Sequence, residues 1–168
     1  MNFLKDLLLS PRRVFVLPLA TGVGLVGVGL LMGALLNLAA CPLCILQRML
    51  YLLVSLAALL GLSTPRPGRI AAALLLFVAS ATGAFVAGYQ VWLQRFAKEE
   101  TCAAAQAWWE KLVDWAGEQV PWLFQGNGLC SDPSWVFLGL SIADWSLLIF
   151  IGLAAYSVHA LLRQRGGK

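Results

Sequence analysis

The chain has 168 residues, 60% of them hydrophobic and only 12% charged, with a formal net charge of +4. Soluble domains carry about 25% charged residues, so this composition excludes a water-facing globule of the same size. It predicts an all-α membrane protein, a four-transmembrane-helix bundle forming a single membrane domain.

Residues 14–37 form the first predicted span, a run without charged side chains and long enough to cross a bilayer core. Lys5, Arg12 and Arg13 precede it as they would a signal peptide. The apolar run exceeds the roughly 7–15 residues of a signal core and no small-x-small cleavage site stands out, so it reads as a retained helix. Gly22-x-Gly24-x-x-Gly27 spells a dinucleotide-binding pattern but follows no strand, so it carries no nucleotide function. Gly29-x-x-x-Gly33 reads as a site of close helix–helix packing.

Cys41-Pro42-Leu43-Cys44 opens the second span, residues 43–62. A ring this small restrains little chain, so a purely structural bridge explains the pair poorly. Pro42 suits the first position of a helix, which makes Cys41 the predicted N-cap and puts Cys44 in the first turn. Free backbone N–H groups and the helix dipole favour an anion there, and the thiolate is the form that exchanges disulfides. Arg48 follows Cys44 by four residues on the same helical face. A snorkelling anchor is the plain reading of such an arginine. The sharper one is a cation that stabilises a Cys44 thiolate and binds the carbonyl of an oxidant lying against the helix. Zinc needs four ligands at a closed site, and Cys102 and Cys130 are not a second short-spaced pair.

The third span covers residues 70–93. Ser80, Thr82, Tyr89 and Gln90 are expected to hydrogen-bond between helices, and Gln90 lies at the same end as Cys44 to offer the oxidant a second contact. Residues 95–143 form a long loop holding Cys102 and Cys130. A bridge closing that loop is worth about 3–4 kcal/mol by chain entropy, so a structural staple is a serious alternative. Lys98-Glu99-Glu100-Thr101, Gly126-Asn127-Gly128 and Ser131-Asp132-Pro133 flank the two cysteines and read as exposed, mobile turns. That favours a disulfide open to attack by a soluble thiol. Ala103 to Val120 reads as a short amphipathic helix lying in the interface, with Trp108, Trp109, Leu112, Val113, Trp115 and Ala116 on one apolar stripe. The fourth span covers residues 145–162, with His159 an interface residue of no chemical role.

Four spans leave both termini and the 63–69 loop on one side, with eight Lys and Arg against four on the other. The positive-inside rule then predicts cytoplasmic termini. The net charge needs no nucleic acid to explain it. All four cysteines are expected in the opposite compartment, where disulfides persist.

Taken together, Cys41-x-x-Cys44 with Arg48, Cys102 and Cys130 in one long loop, and Phe137-Leu138-Gly139-Leu140 before the last span resemble the DsbB family of bacterial disulfide-bond-forming membrane proteins over essentially the whole chain. The resemblance implies an inner-membrane thiol:quinone oxidoreductase that reoxidises a periplasmic DsbA-like thiol oxidase. Ubiquinone is the implied cofactor, with menaquinone as the alternative. Cys102 would form the mixed disulfide with the partner, Cys130 would be its disulfide mate, and electrons would pass to Cys41 and Cys44 beside the quinone, which Arg48 orients. Some members carry a histidine where Gln90 falls, a departure that bears on the second quinone contact. A vitamin-K-epoxide-reductase-like enzyme is a rival, although there the reactive pair lies near the end of a late helix. A structural four-span protein with inert loop bridges is the other.

Overall fold

A computed structural model describes residues 10–96, 108–126, 128, 130, 131 and 135–166, the side chains of 165 and 166 excepted. Cys102 therefore lies outside the described residues, as does the 103–107 stretch of the expected amphipathic helix.

A single 3-10 turn, Arg13–Phe15, leads into α1 (Val16–Leu36). α2 (Pro42–Ser63) and α3 (Arg66–Phe96) follow as the second and third spans. The loop holds α4 (Trp108–Gln119), the one-turn α5 (Pro121–Phe124) and a hairpin of β1 (Val136–Phe137) and β2 (Leu140–Ser141). α6 (Ile142–Gly166) closes the chain. Four of these helices are long and apolar enough to cross a membrane, and the protein is a multi-pass membrane protein. Their outward faces carry Val23, Leu35, Phe85, Ile151 and Leu162, side chains that lipid solvates and water would not.

The bundle is assembled edge to edge, α1 on α2, α2 on α3 and α3 on α6. Small residues let the backbones meet. A methyl group on Gly83 would fall 2.3 Å from the Phe150 ring, and one on Gly22 would meet Ser55 Oγ at 2.2 Å. Phe150 stacks in turn on Tyr51 with ring centroids 4.1 Å apart. At the end where the chain enters, Val14, Phe15, Ala57, Ala73 and Leu76 form a second, fully buried cluster. Of the polar residues expected to link α3 to its neighbours, only Gln90 does so. Thr82 and Tyr89 face outward, and the buried Ser80 hydroxyl has no partner.

The end of α1 is set by Asn37, whose left-handed backbone (φ 49°) breaks the helix. Residues 38–40, outside any helix or strand, then lead to Cys41. At the same end Asp144 accepts hydrogen bonds from the backbone and hydroxyl of Ser141 and pairs with Arg95 at 2.7 Å. It thereby caps α6 and ties it to the end of α3. The hairpin turns at Leu138 and Gly139, both at positive φ, the pair of angles a two-residue turn with the right strand twist requires.

Candidate active site

Cys41 is the N-cap of α2, with extended backbone (φ −84°, ψ 160°) and Pro42 at the first helical position. Its sulfur accepts the Cys44 backbone N–H at 3.3 Å, one of the free donors of the first turn. The same turn brings the two sulfurs to 2.8 Å. Cys41 is buried and Cys44 half-buried.

The loop delivers a third sulfur. Cys130 packs against the core cluster that holds Cys41 and Leu43 and accepts hydrogen bonds from the Cys41 thiol and the Leu43 backbone N–H. The Cys41 bond, with the N–H of the helix terminus adding to it, lowers the Cys130 pKa despite burial. Cys41, donating to Cys130 and then to Cys44 in a buried position, is pushed the other way and keeps its proton. The geometry thus pairs a thiolate-prone loop cysteine with the first cysteine of the helix.

How Cys130 is seated corrects the expectation of an exposed, mobile flank. A methyl group on Gly128 would lie 2.4 Å from the Ala39 carbonyl, and one on Gly126 would lie 2.6 Å from the Ala40 carbonyl. Gly128 N–H donates to the Ala40 carbonyl at 3.0 Å. These glycines serve close backbone approach, laying the loop along the segment before Cys41. Composition alone does not separate that use of glycine from a flexible turn.

Beside Cys44 is a cavity of about 430 Å³ between α1, α2, the hairpin and the start of α6. α1 packs on α2 and α6 on α3, which leaves this groove between the outer helices. Its walls are apolar apart from Gln47, Arg48 and the Tyr51–Ser146 pair, and Trp135, Phe137 and Trp145 are among its lining. Trp135 stacks on Phe137, and Trp145 Nε1 donates to the Phe137 carbonyl at 3.3 Å. Tyr51 shares a hydrogen bond with Ser146 Oγ at 2.9 Å. Arg48 donates to the Leu123 carbonyl at the end of α5 at 3.1 Å, so it ties the loop to α2 while lining the cavity. Gly29 and Gly33 also line it. They are wall, not the helix–helix contact expected of them, and the close contact on α1 falls at Gly22.

Gln90 makes the expected bonds between helices, from α3 to α2 and its N-cap. It is buried behind the cysteine pair, donating to Cys41 Sγ at 3.3 Å and to Cys44 Sγ at 3.2 Å, and it does not line the cavity. Gln47, which the sequence reading passed over, does line it and donates to Gln90 Oε1 at 2.7 Å. A carboxamide one residue before an arginine, both inside an apolar span, was the available signal. In the loop, α4 splits the expected single stripe in two. Trp109, Val113 and Ala116 turn toward the bundle, while Trp108, Leu112 and Trp115 are exposed. Trp122 on α5 is exposed as well. An outward row of tryptophans is what an interfacial helix offers a bilayer surface.

A family model described as "Disulfide bond formation protein DsbB" matches residues 11–160. The chain belongs to the DsbB family. Among its relatives is a disulfide bond formation protein B of Dechloromonas aromatica, 42% identical over 158 residues, 92% of this chain and 94% of the relative. Others come from Nitrosomonas europaea, 39% identical over 158 residues (92% and 93%), and Aromatoleum aromaticum, 37% identical over 161 residues (94% and 96%). This DsbB-family protein is an oxidoreductase of disulfide bond formation, and its three described cysteines meet beside the cavity.

Proposed function

We propose that the protein reoxidises a periplasmic DsbA-type thiol oxidase and passes the electrons through two cysteine pairs to a quinone of the bacterial inner membrane. The observation that carries this reading is the meeting of Cys130 with Cys41 and Cys44 at the N-terminus of α2, beside an apolar cavity bearing Arg48. The excess of Lys and Arg on the side of the termini supports cytoplasmic termini and periplasmic cysteines.

A thiolate of the partner attacks Cys102 in a Cys102–Cys130 disulfide, and Cys130 leaves as a thiolate that the Leu43 N–H at the helix end can still stabilise while Cys41 is held in its own disulfide. Cys130 then attacks Cys41 of a Cys41–Cys44 disulfide, with Cys44 as the leaving group. When the partner's second thiolate closes its own disulfide, Cys102 is released and attacks Cys130. That restores the loop disulfide and leaves Cys41 and Cys44 reduced by two electrons. A partner at about −120 mV is among the strongest thiol oxidants, so disulfide exchange alone cannot regenerate it. A quinone bound in the cavity supplies the stronger two-electron acceptor that returns Cys41 and Cys44 to the disulfide.

The cavity fits such a molecule. Its walls suit a ring and isoprenoid tail, Arg48 offers N–H bonds to a carbonyl, and the Cys44 sulfur lies on the same wall. We assign Cys41, Cys44, Cys102 and Cys130 as redox residues and Arg48 as the quinone-binding cation. Ubiquinone is the acceptor proposed, with menaquinone as the alternative for the same wall.

The test is quinone reduction by purified protein with a reduced DsbA-type partner and excess ubiquinone, followed by quinone absorbance. Turnover that disappears in Cys44→Ser and in Cys102→Ser supports the relay. Wild-type protein that reduces no quinone would leave the cysteines as staples.

A further inference from the structure

Gln47 on α2 and Gln90 on α3 form a buried amide pair directly behind the cysteines, 5% and 2% exposed. Gln90 is saturated by its neighbours: its oxygen takes the Gln47 N–H at 2.7 Å and its nitrogen donates to both sulfurs, at 3.3 and 3.2 Å. A carboxamide has one accepting and one donating end. With a donor on its oxygen, Gln90 presents N–H bonds to the sulfurs. We infer that Gln47 and Gln90 are positioning residues that bias the Cys41–Cys44 couple toward its reduced form, Gln90 as donor to both sulfurs and Gln47 as the lock that fixes which end of Gln90 faces them.

The bias follows from the difference between the two redox states. A disulfide sulfur is a weak acceptor, whereas an N–H to a thiolate is charge-assisted and about twice as strong as a neutral hydrogen bond. Burial enlarges that difference because water does not compete. Two neutral amides also supply this without a second cation near Arg48, and charge is expensive inside a bilayer. A couple made easier to reduce draws electrons from Cys130 more readily. The inference takes that purpose from the relay proposed above, but its measurement needs no relay.

The test uses full-length protein with Cys102→Ala and Cys130→Ala, purified free of quinone, so that one couple titrates. It is equilibrated in glutathione buffers, where the Cys41–Cys44 disulfide and two glutathiones give the dithiol and one glutathione disulfide. The reduced fraction is read by alkylation and mass. Gln90→Met should shift this equilibrium about tenfold toward the disulfide, which is about 30 mV for a two-electron couple. Gln47→Met should shift it the same way by about threefold, since Gln90 is then free to turn. Ser80→Ala, at another buried polar side chain of α3, should leave it unchanged. The Gln90→Met effect should shrink as the pH falls, because a protonated thiol gains less than a thiolate from an N–H. A constant within twofold of wild type in Gln90→Met, or a shift toward the dithiol, overturns the inference. An unshifted Gln47→Met overturns the lock. Should the wild type reduce no quinone, the relay fails and these equilibrium shifts still stand or fall by themselves.

Discussion

Where the chain enters the bundle, Ala57, Ala58, Ala72, Ala73 and Ala160 bring α2, α3 and α6 together around Phe15 and Leu76. A methyl group on Gly61 there would sit 2.5 Å from the Phe15 ring. At the cysteine end the glycines of α1 have room: the nearest atom to a methyl group on Gly29 is Arg48 Nε at 3.9 Å. Both ends use small residues in apolar helices, with opposite results. In the first, small residues close the gap between helices. In the second, α1 and α6 stay apart and the small residues widen a cavity beside Cys44. Association in lipid gains little from apolar burial as such and depends on close packing, so the packed end can hold the helices while the reactive end stays open.

Substitutions that separate the two ends test this contrast. Arg48→Ala should have the largest effect, lowering kcat/KM for quinone by about 100-fold, since a charged hydrogen bond is worth about 1.5–3 kcal/mol. Most of the loss should appear as a higher KM in steady-state assays, and an unchanged KM would remove Arg48 from the quinone site. Gly61→Ala should cost about 1–3 kcal/mol of stability by overpacking, seen as a lower midpoint in denaturation followed by circular dichroism. It should leave the glutathione equilibrium of Cys41 and Cys44 alone, and a shift there would mean that the two ends are coupled.

Gly128→Ala should slow transfer from the loop to the Cys41–Cys44 pair by about tenfold, because its methyl group meets the Ala39 backbone and unseats Cys130. Quinone reduction driven directly by dithiothreitol should persist, and equal loss in both assays would sink this reading. Cys41→Ala removes the largest influence lowering the Cys130 pKa. That pKa should rise, so the thiolate fraction at pH 7 falls. In Cys102→Ala protein with Cys44 also replaced by alanine, alkylation of Cys130 at pH 7 should then slow severalfold on further replacing Cys41. The difference should vanish at a pH well above 9, where both variants are ionised. Gly29→Ala should have the smallest effect, a two- to threefold rise in quinone KM with an unchanged denaturation midpoint.

Much of this was legible from residue order. Runs of about 20 uncharged residues mark membrane spans because lipid leaves the backbone no partner but itself. Pro42 after Cys41, with Cys44 three positions on, predicts a helix start with both sulfurs on its first turn, as observed. Arg48 on the Cys44 face followed from helical spacing alone and lines the same cavity. Local rules of this kind concern residues a few positions apart, and the chain's own geometry enforces them.

Contacts between distant residues obey no such rule. Gly126 and Gly128 read as a flexible turn until the Ala39–Ala40 backbone lies against them. Gln90 read as a residue bonding between helices, but its partners, Gln47 on its oxygen and the two sulfurs on its nitrogen, lie more than 40 positions away and were not legible. Gly29 and Gly33 read as a helix contact, yet in the folded chain they line the cavity. The sequence by itself determined the membrane class, the four helices and the helix start at the cysteine turn, because hydropathy and helical period act locally. Only the tertiary structure decided which sulfur Cys130 meets, what Gln90 holds and where the cavity opens. Those depend on which helices pack together, and in lipid that is a matter of shape complementarity between residues far apart in the chain.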